Sequence, residues 1–211
     1  MKYDHVIWDF NGTLLDDIRC GIDSTDELLC RYGLPPIQTV DRYYSLFGFP
    51  IRDYYQRLGF DFTKISYEAL AQEWVEIYLD KVKKAPIRTG VLPVINILKS
   101  YGVPQTVLSM TEVSMLRFQL ELLGITDYFD EICGLTDIYA SSKLALAADW
   151  RARHPHQRAL FIGDTAHDAE SAKVMKCDCV LLAGGHESEA SLLTHGCRVL
   201  FSPEAILSEI F

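Results

Sequence analysis

Two acidic segments, far apart along the chain, each follow directly on a short apolar run. Segment 9–13 reads Asp-Phe-Asn-Gly-Thr after Val-Ile-Trp, and segment 163–168 reads Gly-Asp-Thr-Ala-His-Asp after Leu-Phe-Ile. An apolar run that ends in turn-forming residues is typical of a buried strand. In open α/β sheets ligands bind outside the carboxyl ends of the strands, so a carboxylate at such a point can meet a substrate or a metal. An ordinary turn is the alternative explanation, because Asp, Asn, Gly and Thr are all turn formers.

If the reaction at such a site were phosphoryl transfer, Asp9 would be the candidate nucleophile. Phosphoryl transfer through a covalent intermediate needs an oxygen nucleophile that is already ionised near neutral pH. A carboxyl group with an ordinary pKa of about 3.9 meets this need without a base. The negative charges of this carboxylate and of a phosphorylated substrate must then be held together by cations. This requirement implies Mg²⁺ bound by carboxylates and backbone carbonyls.

The residues between 16 and 86 show helical patterns and no strand pattern. Apolar residues recur at helical spacing over 16–32, and shorter helices are predicted at 40–47, after a Thr cap, and at 51–58. A fourth helix is predicted from its cap at Ser66 to about residue 83. Four successive helices do not belong inside an alternating βαβ sheet. We therefore interpret 16–86 as an inserted, all-helical cap domain.

The remainder of the chain alternates between strand and helix patterns. Predicted helices include one after Asp168 and a final one capped by Ser202. This alternation predicts an α/β fold with a doubly wound, parallel, Rossmann-like sheet, built from residues 1–15 and 87–211 as the catalytic core domain. The predicted strands after the first are 104–109, 131–135, 159–162, 179–182 and 198–201.

Composition excludes several classes of protein. A formal charge of -9 and a pI near 5.1 argue against a nucleic-acid binder, which would normally carry a basic patch. No apolar run approaches the roughly 20 residues needed to cross a bilayer, and the first residues lack the pattern of a signal peptide. We expect a cytoplasmic protein that acts on a small molecule, does not bind membranes, and is a monomer or a weak dimer.

Residues 9–14, Asp-Phe-Asn-Gly-Thr-Leu, resemble the first motif of the haloacid dehalogenase superfamily, which is normally Asp-x-Asp-Gly-Thr-Leu. The resemblance extends over essentially the whole chain. Subclass I members of the superfamily carry a helical cap directly after this motif, where 16–86 lies here. Segment 47–52 resembles a specificity loop of the phosphoglycolate phosphatase-like members. The resemblance implies a phosphatase that forms an aspartyl-phosphate at Asp9 and acts on a small phosphorylated metabolite.

The same resemblance implies a metal site around the nucleophile. Mg²⁺ would be held by Asp9, the backbone carbonyl of Asn11 and Asp164, and Asp168 would complete or support the metal shell. An acidic start to a helix is also an ordinary structural feature. His167, between the two later aspartates, is expected to be an exposed turn residue rather than a ligand.

Five further residues are candidates for contact with the substrate. By resemblance, Ser109 would hydrogen-bond the transferring phosphoryl group, and Lys143 would neutralise the nucleophile and the phosphate. Thr13, within the first motif, and Met110, directly after Ser109, are also predicted to bind the substrate. Arg52 could clamp a second anionic group with its planar fork. The alternatives are a capping or turn role for Ser109 and solvated surface positions for Lys143 and Arg52.

Asn11 departs from the family pattern, which has an aspartate here that exchanges protons with the leaving group and with water. An amide can orient water but cannot take either role. General acid-base help contributes about 10²- to 10⁴-fold in rate. Three hypotheses follow: a phosphatase for good leaving groups such as acyl, anomeric or aryl phosphates, a low-turnover binder or regulator, or a dehalogenase-type hydrolase. A gain of activity in Asn11→Asp is expected under the first.

Overall fold

A parallel sheet forms the centre of the computed structural model, which describes residues 1–139 and 142–211. Its six strands are β1 (His5–Trp8), β2 (Gln105–Glu112), β3 (Glu131–Leu135), β4 (Ala159–Gly163), β5 (Asp178–Leu182) and β6 (Arg198–Leu200). They lie in the order β3-β2-β1-β4-β5-β6, and every pairing is parallel.

Strand β1 occupies the middle of this sheet. All four of its residues are buried, and Trp8 lies opposite Val107 of β2 on one side and Ile162 of β4 on the other. The chain order reverses at this strand, because β2 and β3 extend in one direction and β4 to β6 in the other. The residue after β1 therefore lies at a topological switch point, where this class of sheet binds its ligands.

Four helices form a module between β1 and the rest of the sheet: α1 (Ile18–Arg31), α2 (Val40–Leu46), α3 (Ile51–Arg57) and α4 (Tyr67–Val82). This helical module has an apolar core of its own, which includes Leu28, Leu70 and Ile77. Its two connections to the sheet run side by side, since the amide of Asp16 donates to the carbonyl of Pro86 at 3.0 Å. We propose 16–86 as the domain boundaries on this basis.

Within the described residues, six further α-helices belong to this part of the chain: α5 (Val91–Ser100), α6 (Val113–Leu122), α7 (Leu144–Arg153), α8 (Ala166–Met175), α9 (Glu189–Leu192) and α10 (Ala205–Ile210). Side chains of β1 alternate between the faces, as the strand geometry requires. Trp8 packs in one apolar cluster with residues of α5, α6 and α10, and Ile7 packs in another with Trp150 of α7 and Met175 of α8. The predicted fold class, a doubly wound parallel α/β sheet with an inserted helical segment, is confirmed.

Several local predictions differ from the structure. Strand β2 continues to Glu112, past a register irregularity, because Glu112 still pairs with Leu135 of β3. Helix α8 begins at Ala166, so the helix that was predicted after Asp168 begins two residues before it and includes it. The last helix begins after Glu204 and has no Ser202 cap. Among the described residues, no helix has the length and apolar character needed to span a membrane.

Candidate active site

Asp9 leaves β1 at its carboxyl end and points into a tight turn. Its amide still donates to the carbonyl of Ile162 in β4 at 2.8 Å, which fixes the nucleophile candidate relative to the neighbouring strand. The carbonyl of Phe10 then accepts from the amide of Leu14 at 2.9 Å, and Gly12 adopts a φ of +73°. A left-handed conformation of this kind favours glycine, which explains the Asn-Gly step in the sequence.

Three buried carboxylates lie together at this edge of the sheet. One oxygen atom each of Asp9, Asp164 and Asp168 lies within 4.8 Å of the others. Asp164 is held by the hydroxyl of Thr13 at 2.7 Å and by the amide of His186 at 2.6 Å. The sequence predicted these carboxylates in one site, and the structure brings Asp9 and Asp168 together although 159 positions separate them in the chain.

Asp168 belongs to the capping box of α8. Its Oδ2 atom accepts from the amide of Asp164 at 3.0 Å and from the amide and hydroxyl of Thr165 at 2.9 and 2.8 Å. The other oxygen, Oδ1, points toward the acidic cluster and forms an ion pair with Lys143. The local helix-start pattern thus orients one carboxylate oxygen toward the site.

Lys143 lies at the residue before α7 and is 3% exposed. Its Nζ atom is 2.6 Å from Asp9 Oδ1, in addition to the ion pair with Asp168. Burial disfavours the charged amine, but the two carboxylates outweigh it and raise the pKa of Lys143. Its amide donates to Nε2 of His167 at 3.2 Å. His167 is buried within α8, so the expectation of an exposed turn residue was wrong.

The acidic cluster has the chemistry of a divalent-cation site. Burial and the charge of Asp168 raise the pKa of Asp9, and burial, with Asp168 as a further cause, raises that of Asp164. The single positive charge of Lys143 therefore does not neutralise the three carboxylates. Hard oxygen donors of this kind suit Mg²⁺ or Ca²⁺. Gly163 and Gly185 leave room for the carboxylates, since a Cβ atom at either position would overlap an aspartate. The residues present fit a divalent cation.

Both the nitrogen and the oxygen of the Asn11 side-chain amide form hydrogen bonds. Its Nδ2 donates to Asp17 Oδ2 at 2.9 Å and to the hydroxyl of Tyr78 at 2.8 Å. Its Oδ1 accepts from the hydroxyl of Thr111 at 2.8 Å. These contacts hold the amide in one orientation at the edge of the site.

Asp17 and His186 form a charged pair that sequence reasoning did not identify as functional. Asp17 Oδ1 lies 3.0 Å from Nε2 of His186 and accepts from the amide of Gly12 at 2.8 Å. Burial opposes ionisation of both groups, but their mutual attraction lowers the pKa of Asp17 and raises that of His186 to about 9. Tyr43 lies 2.8 Å from the other ring nitrogen of His186. The sequence signals were a second aspartate just before α1 and a histidine after Gly184-Gly185, which could border the site but was given no role.

The remaining predicted residues lie in different places. Ser109 is buried in β2, where its hydroxyl donates to Thr111 Oγ1 at 3.1 Å. Ser109 and Met110 line the same cavity as the nucleophile candidate. Thr13 binds Asp164 and does not line that cavity. Arg52 is exposed, and its guanidinium lies 4.8 Å from the ring centroid of Phe62, so the structure gives no support for an anion clamp there.

A cavity of about 190 Å³ lies over Asp9, between the sheet and the helical module. Ser109 and Lys143 line it beside Asp9, and the rings of Phe47, Tyr54 and Trp74 line it from the helical module. The arrangement can place a small ligand group directly against the nucleophile candidate and the acidic cluster.

Comparison with known proteins gives a family match. The model of the haloacid dehalogenase-like hydrolases matches residues 6–182. Phosphoglycolate phosphatase of Caulobacter vibrioides is 24% identical over 200 residues, which cover 87% of this chain and 81% of the relative.

Solved structures share the fold over nearly the full length of the chain. A haloacid dehalogenase-like family protein of Streptococcus pneumoniae, SP0104, has a TM-score of 0.85 at 20% identity and covers 100% of this chain and 99% of its own. Protein tyrosine kinase A of Mycobacterium tuberculosis has a TM-score of 0.83 at 22% identity, with 99% and 98% covered. At these identities, the likeness concerns the fold alone.

Proposed function

The chain belongs to the haloacid dehalogenase-like hydrolases, and we propose that it is a Mg²⁺-dependent phosphatase that transfers the phosphoryl group of a small metabolite to Asp9. The phosphatase named among the relatives supports this class of reaction. The single observation that carries the proposal is the position of Asp9. It is a buried carboxylate at the switch point of the sheet, 2.6 Å from a buried lysine and clustered with two further aspartates.

The reaction follows from the groups around the cavity. A carboxylate oxygen of Asp9 attacks phosphorus, and the bond from phosphorus to the leaving oxygen breaks with its electron pair on that oxygen. Water then attacks the phosphorus of the aspartyl-phosphate, which releases Asp9 and inorganic phosphate, and the water proton passes to solvent. Lys143 offsets the negative charge of Asp9 and of the phosphoryl group in both steps, and Ser109 holds a phosphoryl oxygen.

The cation has a defined place in this scheme. Mg²⁺ would be held by Asp9, the Asn11 backbone carbonyl and Asp164, with Asp168 in support. When bound, it supplies the positive charge that lets two anions approach each other. Thr13 acts indirectly, because its hydroxyl orients Asp164.

Asn11 determines which substrates turn over well. The amide cannot donate the proton that an alkoxide leaving group needs, nor can it accept one from the attacking water. The expected loss is about 10²- to 10⁴-fold for poor leaving groups. Substrates whose leaving oxygen is stable without a proton avoid this loss in the first step. We therefore expect the protein to favour acyl, anomeric or aryl phosphates over alkyl phosphates.

Trapping of the intermediate tests the proposal. Protein with Mg²⁺ is mixed with acetyl phosphate or phenyl phosphate, quenched in acid and digested. The mass of the peptide that contains Asp9 is then measured by mass spectrometry. We expect the added mass of one phosphoryl group on that peptide and none in Asp9→Asn. Absence of the label with both substrates, or equal rates for alkyl and aryl phosphates, would contradict the proposal.

A low-turnover binding or regulatory protein is the second candidate. It is favoured by one observation: Asn11 makes three side-chain hydrogen bonds within the protein, so its amide is not free to serve a reacting group. Binding of phosphate compounds without any label on Asp9 would support this candidate. A dehalogenase-type reaction ranks last, and would be indicated by turnover that persists after complete removal of metal.

A further inference from the structure

The wall of the cavity over Asp9 is aromatic on the side of the helical module. Rings from the loop after α2 and from α3 and α4 face it, and they come from Phe47, Phe49, Tyr54, Tyr55, Tyr67 and Trp74. Several of these rings pack on each other, with centroids 5.3 Å apart for Phe47 and Tyr54 and 6.0 Å apart for Tyr54 and Tyr55. Aromatic edges and faces are well suited to hold another ring.

The cavity carries little positive charge for a second anionic group. Of the described lysines and arginines, Lys143 alone lines it, and its amine is already paired with Asp9 and Asp168. The pair of His186 with Asp17 leaves no net charge there. Glu112 lines the cavity as well and adds negative charge. An anionic tail on the substrate would therefore lie in an apolar space without a partner, which is unfavourable.

The size of the cavity suits a ligand with a single ring. Its volume is about 190 Å³, and engineered apolar cavities of about 150 Å³ in another protein bind benzene.

We propose that this site takes the phosphate monoester of a phenol whose single ring carries no charge. The inference rests on the proposed function and adds the substrate class to it. The ring would lie among the aromatic side chains of the helical module while the phosphoryl group reaches Asp9. Cleavage would break the bond between phosphorus and the phenolic oxygen, leave the electron pair on that oxygen, and form the aspartyl-phosphate. Phenolates are good leaving groups, which agrees with an amide at position 11.

Two substrates with closely similar leaving groups separate ring charge from leaving-group chemistry. We would compare 4-ethylphenyl phosphate with 4-(carboxymethyl)phenyl phosphate, with Mg²⁺ present. The uncharged ester is expected to show a kcat/KM at least about tenfold higher, equivalent to about 1.4 kcal/mol. Equal values, or a preference for the carboxylate, would overturn the inference. If Asp9 were still labelled by acetyl phosphate in that case, the proposed function would stand.

A charge placed in the wall provides the reciprocal test. Val75 lines the cavity from α4, and Val75→Lys would supply the missing partner for the carboxylate. The ratio of the two kcat/KM values should fall by about tenfold or more, whatever fraction of the variant is folded. Val174→Lys makes the same change on the exposed surface of α8 and should leave the ratio unchanged. An unchanged ratio in Val75→Lys would count against the inference.

Binding of the free phenols tests the preference of the cavity for an uncharged ring without any reaction taking place. Fluorescence of Trp74 in the wall, or calorimetry, would follow titration with 4-ethylphenol and with 4-hydroxyphenylacetate. Binding of the first at least tenfold tighter than the second supports the inference even if no phosphatase activity is found. Equal binding of the two, or binding of neither, contradicts it whether or not Asp9 is phosphorylated.

Discussion

The amide nitrogen of Asn11 donates to the carboxylate of Asp17 across 2.9 Å. An aspartate at position 11 would replace this donor with an oxygen and place two carboxyl groups against each other. Such a pair cannot readily ionise together, because like charges at this separation raise the pKa of one of them. The charge of Asp17 is in turn fixed by His186 at 3.0 Å. Asn11 and Asp17 therefore form one structural unit.

The contact with Asp17 changes the sequence-based expectation of a gain in Asn11→Asp, because the aspartate typical of the family should by itself give little activity. In Asn11→Asp, the new carboxyl group would hold its proton toward Asp17, away from the leaving oxygen. We expect less than a tenfold rise in kcat on an alkyl phosphate such as glycerol phosphate. In the double variant Asn11→Asp with Asp17→Asn, the amide introduced at position 17 can donate to the new carboxylate at position 11. We then expect kcat on the alkyl phosphate to rise about 10²-fold.

The single variant Asp17→Asn is the control for this pair. It keeps the shape of the side chain, and by itself it adds no group that exchanges protons. Steady-state rates on alkyl and aryl phosphates, with thermal melting to verify folding, would give the full cycle. A full gain in Asn11→Asp alone would show that Asp17 does not restrict position 11.

Some of this site can be predicted from sequence because it is encoded locally. Asp9 and Asp164 each follow an apolar strand, and parallel strands bring their carboxyl ends to one edge. The pair of Asp17 and His186 could not be predicted in this way, since 169 positions separate the two residues and no pattern links the residue before α1 to the turn after β5 that contains His186. The orientation of the Arg52 side chain likewise depends on its contact with the ring of Phe62, which the apolar pattern of the sequence does not predict.

Metal binding should stabilise the folded protein. The acidic cluster forms only when β1 and β4 are paired, so Mg²⁺ at 100 times its Kd should add about 2.7 kcal/mol to the free energy of unfolding. For a chain of this size, that corresponds to a rise in Tm of roughly 5 to 10 °C. Asp164→Asn should remove most of the rise, whereas Glu121→Gln on the exposed surface of α6 should retain it. An equal rise in both variants would place the metal elsewhere.

His5 should make stability fall in mild acid. Burial, with a further effect of His154, lowers the pKa of His5 to about 4, against about 6.5 in an unfolded chain. The native state holds the ring neutral, so its contribution is complete above about pH 6.5 and is lost as the pH falls toward 4. The expected loss is about 2 kcal/mol between pH 7 and pH 5.

Urea unfolding of wild type and His5→Gln across this pH range would measure that loss. The amide can still reach the hydroxyl of Thr106, which lies 2.8 Å from the ring in wild type, but it does not titrate. The difference in unfolding free energy between the two proteins should change with pH by the amount given. Parallel curves would show that His5 does not titrate differently on unfolding.

Gly163 should be required for the metal site although it carries no functional group. A Cβ atom at this position would overlap the carboxyl group of Asp168, and its backbone is not left-handed, so the effect of Gly163→Ala is steric. Displacement of Asp168 would disturb both its contact with Lys143 and the cluster. Changes to groups that orient metal ligands typically cost about 10- to 100-fold in affinity, and we expect a weakening of Mg²⁺ binding in that range.

Gly21→Ala is the control, because the atom nearest to a Cβ added at Gly21, apart from the backbone of its own helix, is 3.9 Å away. Calorimetric titration of both variants with Mg²⁺ would give the comparison, and equal affinities would mean that Asp168 does not depend on the space Gly163 provides.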